Sequence, residues 1–254
     1  MVRGADRVGV RAGPARTIGL TKVVRRDCVM FRTAVKLTAA VVVAGAAVSA
    51  CGTVQMGAAA ITGNSRISNS TLTAQVANLT AAYAADEKKH IKPQRPASEA
   101  AQQVLSWLVL FKVYDHLAAQ HNIHVTQTDI QREIYRLSNQ AKQNNSTLAE
   151  YVSAAGAIPP DLTQELARYI AIQSALALQI NGGAPPTTAA QQATVQAGVG
   201  HAQCVAAKNL GISINPQFGQ YDYGTYQVVL KPPTLAAAPG PTPKASPVVT
   251  SPHC

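Results

Sequence analysis

The stretch SEAAQQVLSWLVLFKVYDHLAAQHNIHVTQTDIQREIYRLSNQA, residues 98–141, decides the fold. Its first half places Val104, Leu105, Leu108, Phe111 and Val113 so densely that nearly every direction around a helix is apolar. That pattern predicts a helix buried among neighbours on all sides. Asp115, His116, Gln120 and His121 then restore polarity, and Asn122 can end the helix. After Ile123 and Val125, Thr126 is a good N-cap and Asp129 stands where a capping box places its acid. Ile130, Ile134, Leu137 and Ala141 follow at helical spacing and define one face of a second helix.

Working outward, Leu72, Val76, Leu79 and Tyr83 predict an amphipathic helix capped near Ser68 or Ser70. Before it, Ala58 to Ile61 and Arg66–Ile67 flank the turn-rich Thr62-Gly63-Asn64-Ser65 and read as short strands. Residues 86–96, charged and holding Pro93 and Pro96, read as a linker. Downstream, Thr147 and Glu150 form a capping box for a short helix that Gly156 ends. Pro159-Pro160 opens another helix, whose apolar face runs from Leu162 to Ile180. Thr188 and Gln191 cap a last, Ala- and Gln-rich helix, loosened in the middle by Gly198 and Gly200. Ile212 and Ile214, then Tyr226, Val228 and Leu230, alternate like strands around a Gly/Tyr-rich loop. We expect both strands to pair with the one near 58–61. Residues 232–254, rich in proline, read as an extended, disordered tail.

The run L-V-x-x-x-V-Y-x-x-L-A-x-x-x-x-I-x-V-T-x-x-D-I from Leu108 to Ile130, followed by Ala141-Lys142-Gln143-Asn144-Asn145-x-Thr147-Leu148, resembles the N-terminal chaperone domain of SurA- and PrsA-type extracytoplasmic folding factors. The resemblance spans residues 58–180 and, less clearly, 212–230. It implies a mainly α fold: a helical domain like that of SurA or the C-terminal part of trigger factor, with about six helices and a small β element from N- and C-terminal strands. It also implies binding of unfolded or exported polypeptides. The relatives carry a parvulin prolyl-isomerase domain after the helix that ends near Ile180. Here only residues 181–186 occupy that place, so we expect no isomerase activity and no enzyme.

The net charge of +10 resembles that of a nucleic-acid binder, but its distribution argues otherwise. Residues 1–50 carry nine basic and two acidic side chains, and the remainder is left near balance at +3. Arg32 and Lys36, the apolar residues 37–47 and the small Ser49-Ala50 precede Cys51. This arrangement resembles a bacterial lipoprotein signal, in which the cysteine thiol is acylated and becomes the mature N-terminus. An ordinary signal peptide cut near Ala50 is the alternative reading. Arg25-Arg26 lacks the large apolar residue that soon follows a twin-arginine pair, because Asp27 and Cys28 intervene. A good signal already begins at Met30, which suggests a later true start. The expected organisation is a signal peptide over 1–50, a lipidated tether over 51–57, the helical domain over 58–231 and the tail over 232–254.

Candidate chemistry is sparse. Cys204 and Cys254 are candidates for a disulfide outside the cytosol, with free or intermolecular thiols equally allowed. His116 and His121 are five apart, not the three or four of helical metal ligands, and His124 lies in or after the turn, so we expect no metal and no cofactor. Asp86-Glu87 and Asp161/Glu165 sit in no catalytic string, and first-turn acids favour the helix dipole. Trp107, Leu108, Phe111 and Tyr114 are the candidate peptide-binding set; their plainer role is core. Tyr221, Tyr223 and Tyr226 are candidates to rim such a groove. The sequence therefore points to a lipid-anchored, extracytoplasmic, chaperone-like protein that holds polypeptides in an apolar helical groove. The alternative is an accessory lipoprotein that binds one folded partner at the cell surface.

Overall fold

Ser68 ends a short strand and starts a long helix in one step. Its side chain accepts a hydrogen bond from the Thr71 amide at 2.9 Å, which satisfies a donor that the first helical turn leaves open. The computed structural model describes residues 57–230, all within one compact unit. The signal segment, Cys51, the tether before Gly57 and the tail lie outside the described residues.

Two strands, β1 (Ala58–Thr62) and β2 (Ser65–Ser68), form a hairpin, and six α-helices follow: α1 (Asn69–Glu87), α2 (Ala100–Gln120), α3 (Gln127–Gln143), α4 (Leu148–Gly156), α5 (Thr163–Ile180) and α6 (Ala189–Leu210). Three short strands close the described chain: β3 (Ile212–Ile214), β4 (Gln220–Asp222) and β5 (Gln227–Val229). The fold is thus mainly α with a small antiparallel component from both ends, as expected. The capping boxes at Thr126/Asp129, Thr147/Glu150 and Thr188/Gln191 are all formed. They work because each cap needs only residues three apart.

Two clusters of buried side chains share α2. The larger takes Val104, Leu105, Val109, Val113 and Leu117 and packs them against α1, α6 and the strands. The smaller joins Phe111 to Leu137 of α3, Val152 of α4, Ile158 after it, Leu162 of the Pro160–Leu162 turn and Leu166 of α5. A helix apolar on nearly all sides is therefore accommodated by cores on two of its faces. Ala58, Ala59 and Ala60 of β1 are almost wholly buried, and their small side chains let this strand lie close to α2.

Three expectations need correction. The strand at 226–230 does not join β1. Of the two C-terminal strands expected there, only β3 pairs with β1, through Ala60–Ile214 to Thr62–Ile212, whereas β5 pairs with β4, which lies within the supposed loop. The cause is tertiary: the Val228 amide donates to Ser106 Oγ on α2 at 2.8 Å, and Asp222 accepts from Gly224 N and Thr225 Oγ1 to close the turn. Gly219 is required there, since a Cβ would stand 2.2 Å from the Val229 carbonyl oxygen at φ +119°. Second, α1 runs through Asp86, which is 2% exposed and accepts a hydrogen bond from Ser153 Oγ at 2.8 Å. The linker begins two residues later than the charge pattern suggests. Third, Gly198 does not mark a loose turn of α6. A Cβ there would approach two side-chain carbons of Ile180 to 3.1 Å, so the glycine brings α6 close to the end of α5.

Candidate functional site

The aromatic set on α2 is positioned by helical periodicity. Trp107, Phe111 and Tyr114 lie four and three residues apart, on one side of the helix. Tyr169 of α5 meets all three. Its ring centroid stands 6.0 Å from Trp107, 6.3 Å from Phe111 and 4.4 Å from Tyr114, edge-on to Trp107 and Tyr114. Trp107 and Phe111 are 5.7 Å apart.

The indole of Trp107 and the phenol of Tyr114 are both satisfied within the protein. Trp107 Nε1 donates to the Gly156 carbonyl at 2.9 Å. That carbonyl is in reach because α4 ends in a left-handed turn at Ala157, φ +51°, with Ile158 N bonded back to Val152 O. Tyr114 Oη donates to Gln203 Oε1 of α6 at 3.1 Å. Burial pushes the Tyr114 phenol far above its ordinary range, and burial also raises Tyr169. Tyr114 is wholly buried and Phe111 is 7% exposed, so neither presents a surface. Trp107 and Leu108 are half-buried against the smaller cluster. The structure brings the four residues together, as interior and partly interior side chains.

The other candidates are placed separately. Tyr221 is buried in the larger cluster and stacks edge-on with Tyr223 at 5.0 Å. Tyr226, at φ +56°, donates from Oη to the Gly200 carbonyl at 3.0 Å. Burial raises the Tyr221 and Tyr226 phenols. Cys204 is buried on α6 and is disulfide-bonded; Cys254 and Cys51 lie outside the described residues. Asp86 is committed to Ser153, while Glu87, Asp161 and Glu165 are exposed. Asp115 pairs with Arg168 at 2.9 Å. Among the described residues, no group of three or more His, Cys, Asp or Glu is placed to hold a metal. No described helix is long and apolar enough to cross a membrane.

A feature that the sequence did not signal lies at the other end of α1. Its last turns and the linker that follows flank an open cleft of about 600 Å³ lined by Thr80, Tyr83, Ala84, Ile91 and Pro93, with Glu87, His90 and Lys92 also contributing. The linker is held by its backbone. Ile91 N donates to Asp86 O at 3.0 Å, His90 N to Glu87 O at 2.9 Å, and Gln94 N to Ala154 O of α4 at 2.8 Å. His90 adopts φ +60° to make this turn. Lys89 reaches across to Glu150, and together with the Thr147 cap it pulls the Glu150 carboxyl down to about 2.

Comparison with known proteins gives one family: the model of the SurA-like N-terminal domain matches residues 23–176. No curated protein and no solved structure gives a significant match.

Proposed function

The chain belongs to the SurA-like N-terminal domain family, a chaperone-type domain that is not itself catalytic, and from that premise we propose that it is a holding factor for polypeptides outside the cytoplasm. The observation that carries this reading is the family match over residues 23–176. In the proposed arrangement Cys51 is acylated and anchors the chain. Each buried acyl methylene contributes about 0.8 kcal/mol, so two chains hold the membrane far more firmly than one. The helical domain then binds unfolded or newly exported segments reversibly, by burying their apolar side chains, without nucleotide or isomerisation.

A specific observation favours a second, more selective reading. Among the described residues the exposed large hydrophobic side chains are Tyr135, Leu178 and Leu230, on α3, on α5 and after β5. A promiscuous holdase is expected to offer a broad apolar patch, so an accessory lipoprotein with one folded partner fits this surface.

The test uses the purified protein with Cys51→Ser. Suppression of aggregation of two unrelated denatured proteins at near-equimolar ratio supports the holding role. Suppression of neither, with one folded partner recovered from membranes, supports the accessory reading. A mass increase at Cys51 in membrane-extracted wild type checks the anchor, and turnover of a short proline peptide would contradict the absence of isomerase activity.

A further inference from the structure

We propose that Cys204 of α6 and Cys254 form an intrachain disulfide that ties residues 231–254 back onto the helical domain and latches the C-terminal strands in place. The choice of Cys254 as the partner rests on the acylation of Cys51 proposed above.

The first ground is the state of the Cys204 sulfur. The chain has four cysteines, Cys28, Cys51, Cys204 and Cys254. Cys204, 4% exposed on α6, is disulfide-bonded within a single copy of the chain. No other cysteine lies among the described residues, so the partner is Cys28, Cys51 or Cys254. Cys28 precedes the positive Arg32 of the signal and leaves with it. An acylated Cys51 holds its sulfur as a thioether and has no thiol to oxidise. Cys254 is the thiol left to pair.

The second ground is reach. Tyr226 Oη donates to the Gly200 carbonyl at 3.0 Å. Gly200 stands one turn of α6 before Cys204, about 6 Å along the axis. The chain therefore enters β5 beside the part of α6 that carries Cys204. Leu230, just after β5, is 65% exposed, so the chain leaves that strand at the surface. A proline-rich segment gains about 3.1 Å per residue, and residues 231–254 return to Cys204 with length to spare.

The third ground is what the bond would hold. β4 and β5 have three residues each and pair only with each other. A lone two-stranded hairpin is marginal in water. Its hydrogen bonds to the helices run from Val228 N to Ser106 and from Tyr226 to Gly200. A covalent tie from the residues after β5 to α6 limits how far this hairpin opens. It also closes the loop from 204 to 254 in the unfolded chain, which narrows the ensemble that folding must order.

The bond forms by thiol–disulfide exchange with an external disulfide outside the cytoplasm. The Cys254 thiolate attacks that disulfide and expels one thiol, because Cys204 is buried. The Cys204 thiolate then attacks Cys254 Sγ and expels the second. Two S–H bonds of the chain are replaced by one S–S bond, and the external disulfide is reduced to two thiols.

The experiment alkylates membrane-extracted protein without reduction, digests it with trypsin and weighs the peptides. Residues 169–208 and 245–254 should appear as one linked species, which reductant separates with one hydrogen gained by each, beside an acylated Cys51. Acylated Cys51 with alkylated Cys204 and Cys254 overturns the disulfide and leaves the anchor intact. A Cys51–Cys204 link overturns both. A dimer that reductant separates overturns the intrachain assignment. On the Cys51→Ser background, reduction should lower the urea midpoint by about 1 M or more and quicken amide exchange over residues 220–229. Cys254→Ser should start at the lowered midpoint and not respond to reductant. A midpoint and exchange unchanged by reduction overturn the latch.

Discussion

The aromatic face of α2 and the end of α1 both bury tyrosine rings, yet they differ in how the polar tips are matched. On α2, Trp107 and Tyr114 give their donors to Gly156 and Gln203. Beside α1, Tyr83 is equally sequestered but its hydroxyl is unmatched. Apolar density along a sequence marks where a core is dense.

The comparison can be broken most decisively through stability. Tyr114→Ala removes a wholly buried ring packed on Tyr169 and should cost about 3–5 kcal/mol, measured as a shift of the urea midpoint at unchanged slope. A shift no larger than that of an exposed substitution would mean that this face is not core. Trp107→Phe leaves the Gly156 carbonyl without its indole donor and should cost about 1 kcal/mol. Tyr83→Phe is the counterpart: it removes an unmatched hydroxyl, so the urea midpoint should stay within about 0.5 kcal/mol of wild type or rise. A clear loss would reveal a partner for that hydroxyl and remove the contrast.

A smaller effect concerns the strap that holds the linker. The Glu150 carboxyl lies at about 2 in the folded protein against an ordinary 4.5, held down by Lys89 first and by the Thr147 cap second. A depressed carboxyl contributes stability that is present above its ordinary value and is lost as pH falls through the interval down to about 2. Chemical denaturation between about pH 5 and pH 2 should therefore show a steeper loss in wild type than in Glu150→Gln. Glutamine can still complete the capping box, so the difference reports the carboxylate's charge toward Lys89 and the Thr147 cap together. Matching slopes would remove that charge from the account.

What could be read in advance divides along the same line. The Thr126, Thr147 and Thr188 caps, the ends of α4 and α6, and the dense interior helix α2 are set by neighbours within a few residues, and they stand where the spacing placed them. The pairing of β5 with β4 depends on Ser106, 122 residues from Val228, and three-residue strands carry too little pattern to reveal it. Asp86 reads as the start of a charged linker because its partner, Ser153, is 67 residues away. Tyr83 continues the apolar face of Leu72 and Leu79, so its spacing is that of a core residue. Only the turn of the chain at His90 opens a cavity beside it.

The most direct measurement is amide hydrogen exchange of the purified protein with and without a denatured client polypeptide. The account predicts that exchange in residues 104–114 is already slow and is unchanged by the polypeptide. Added protection over residues 104–114 would contradict it.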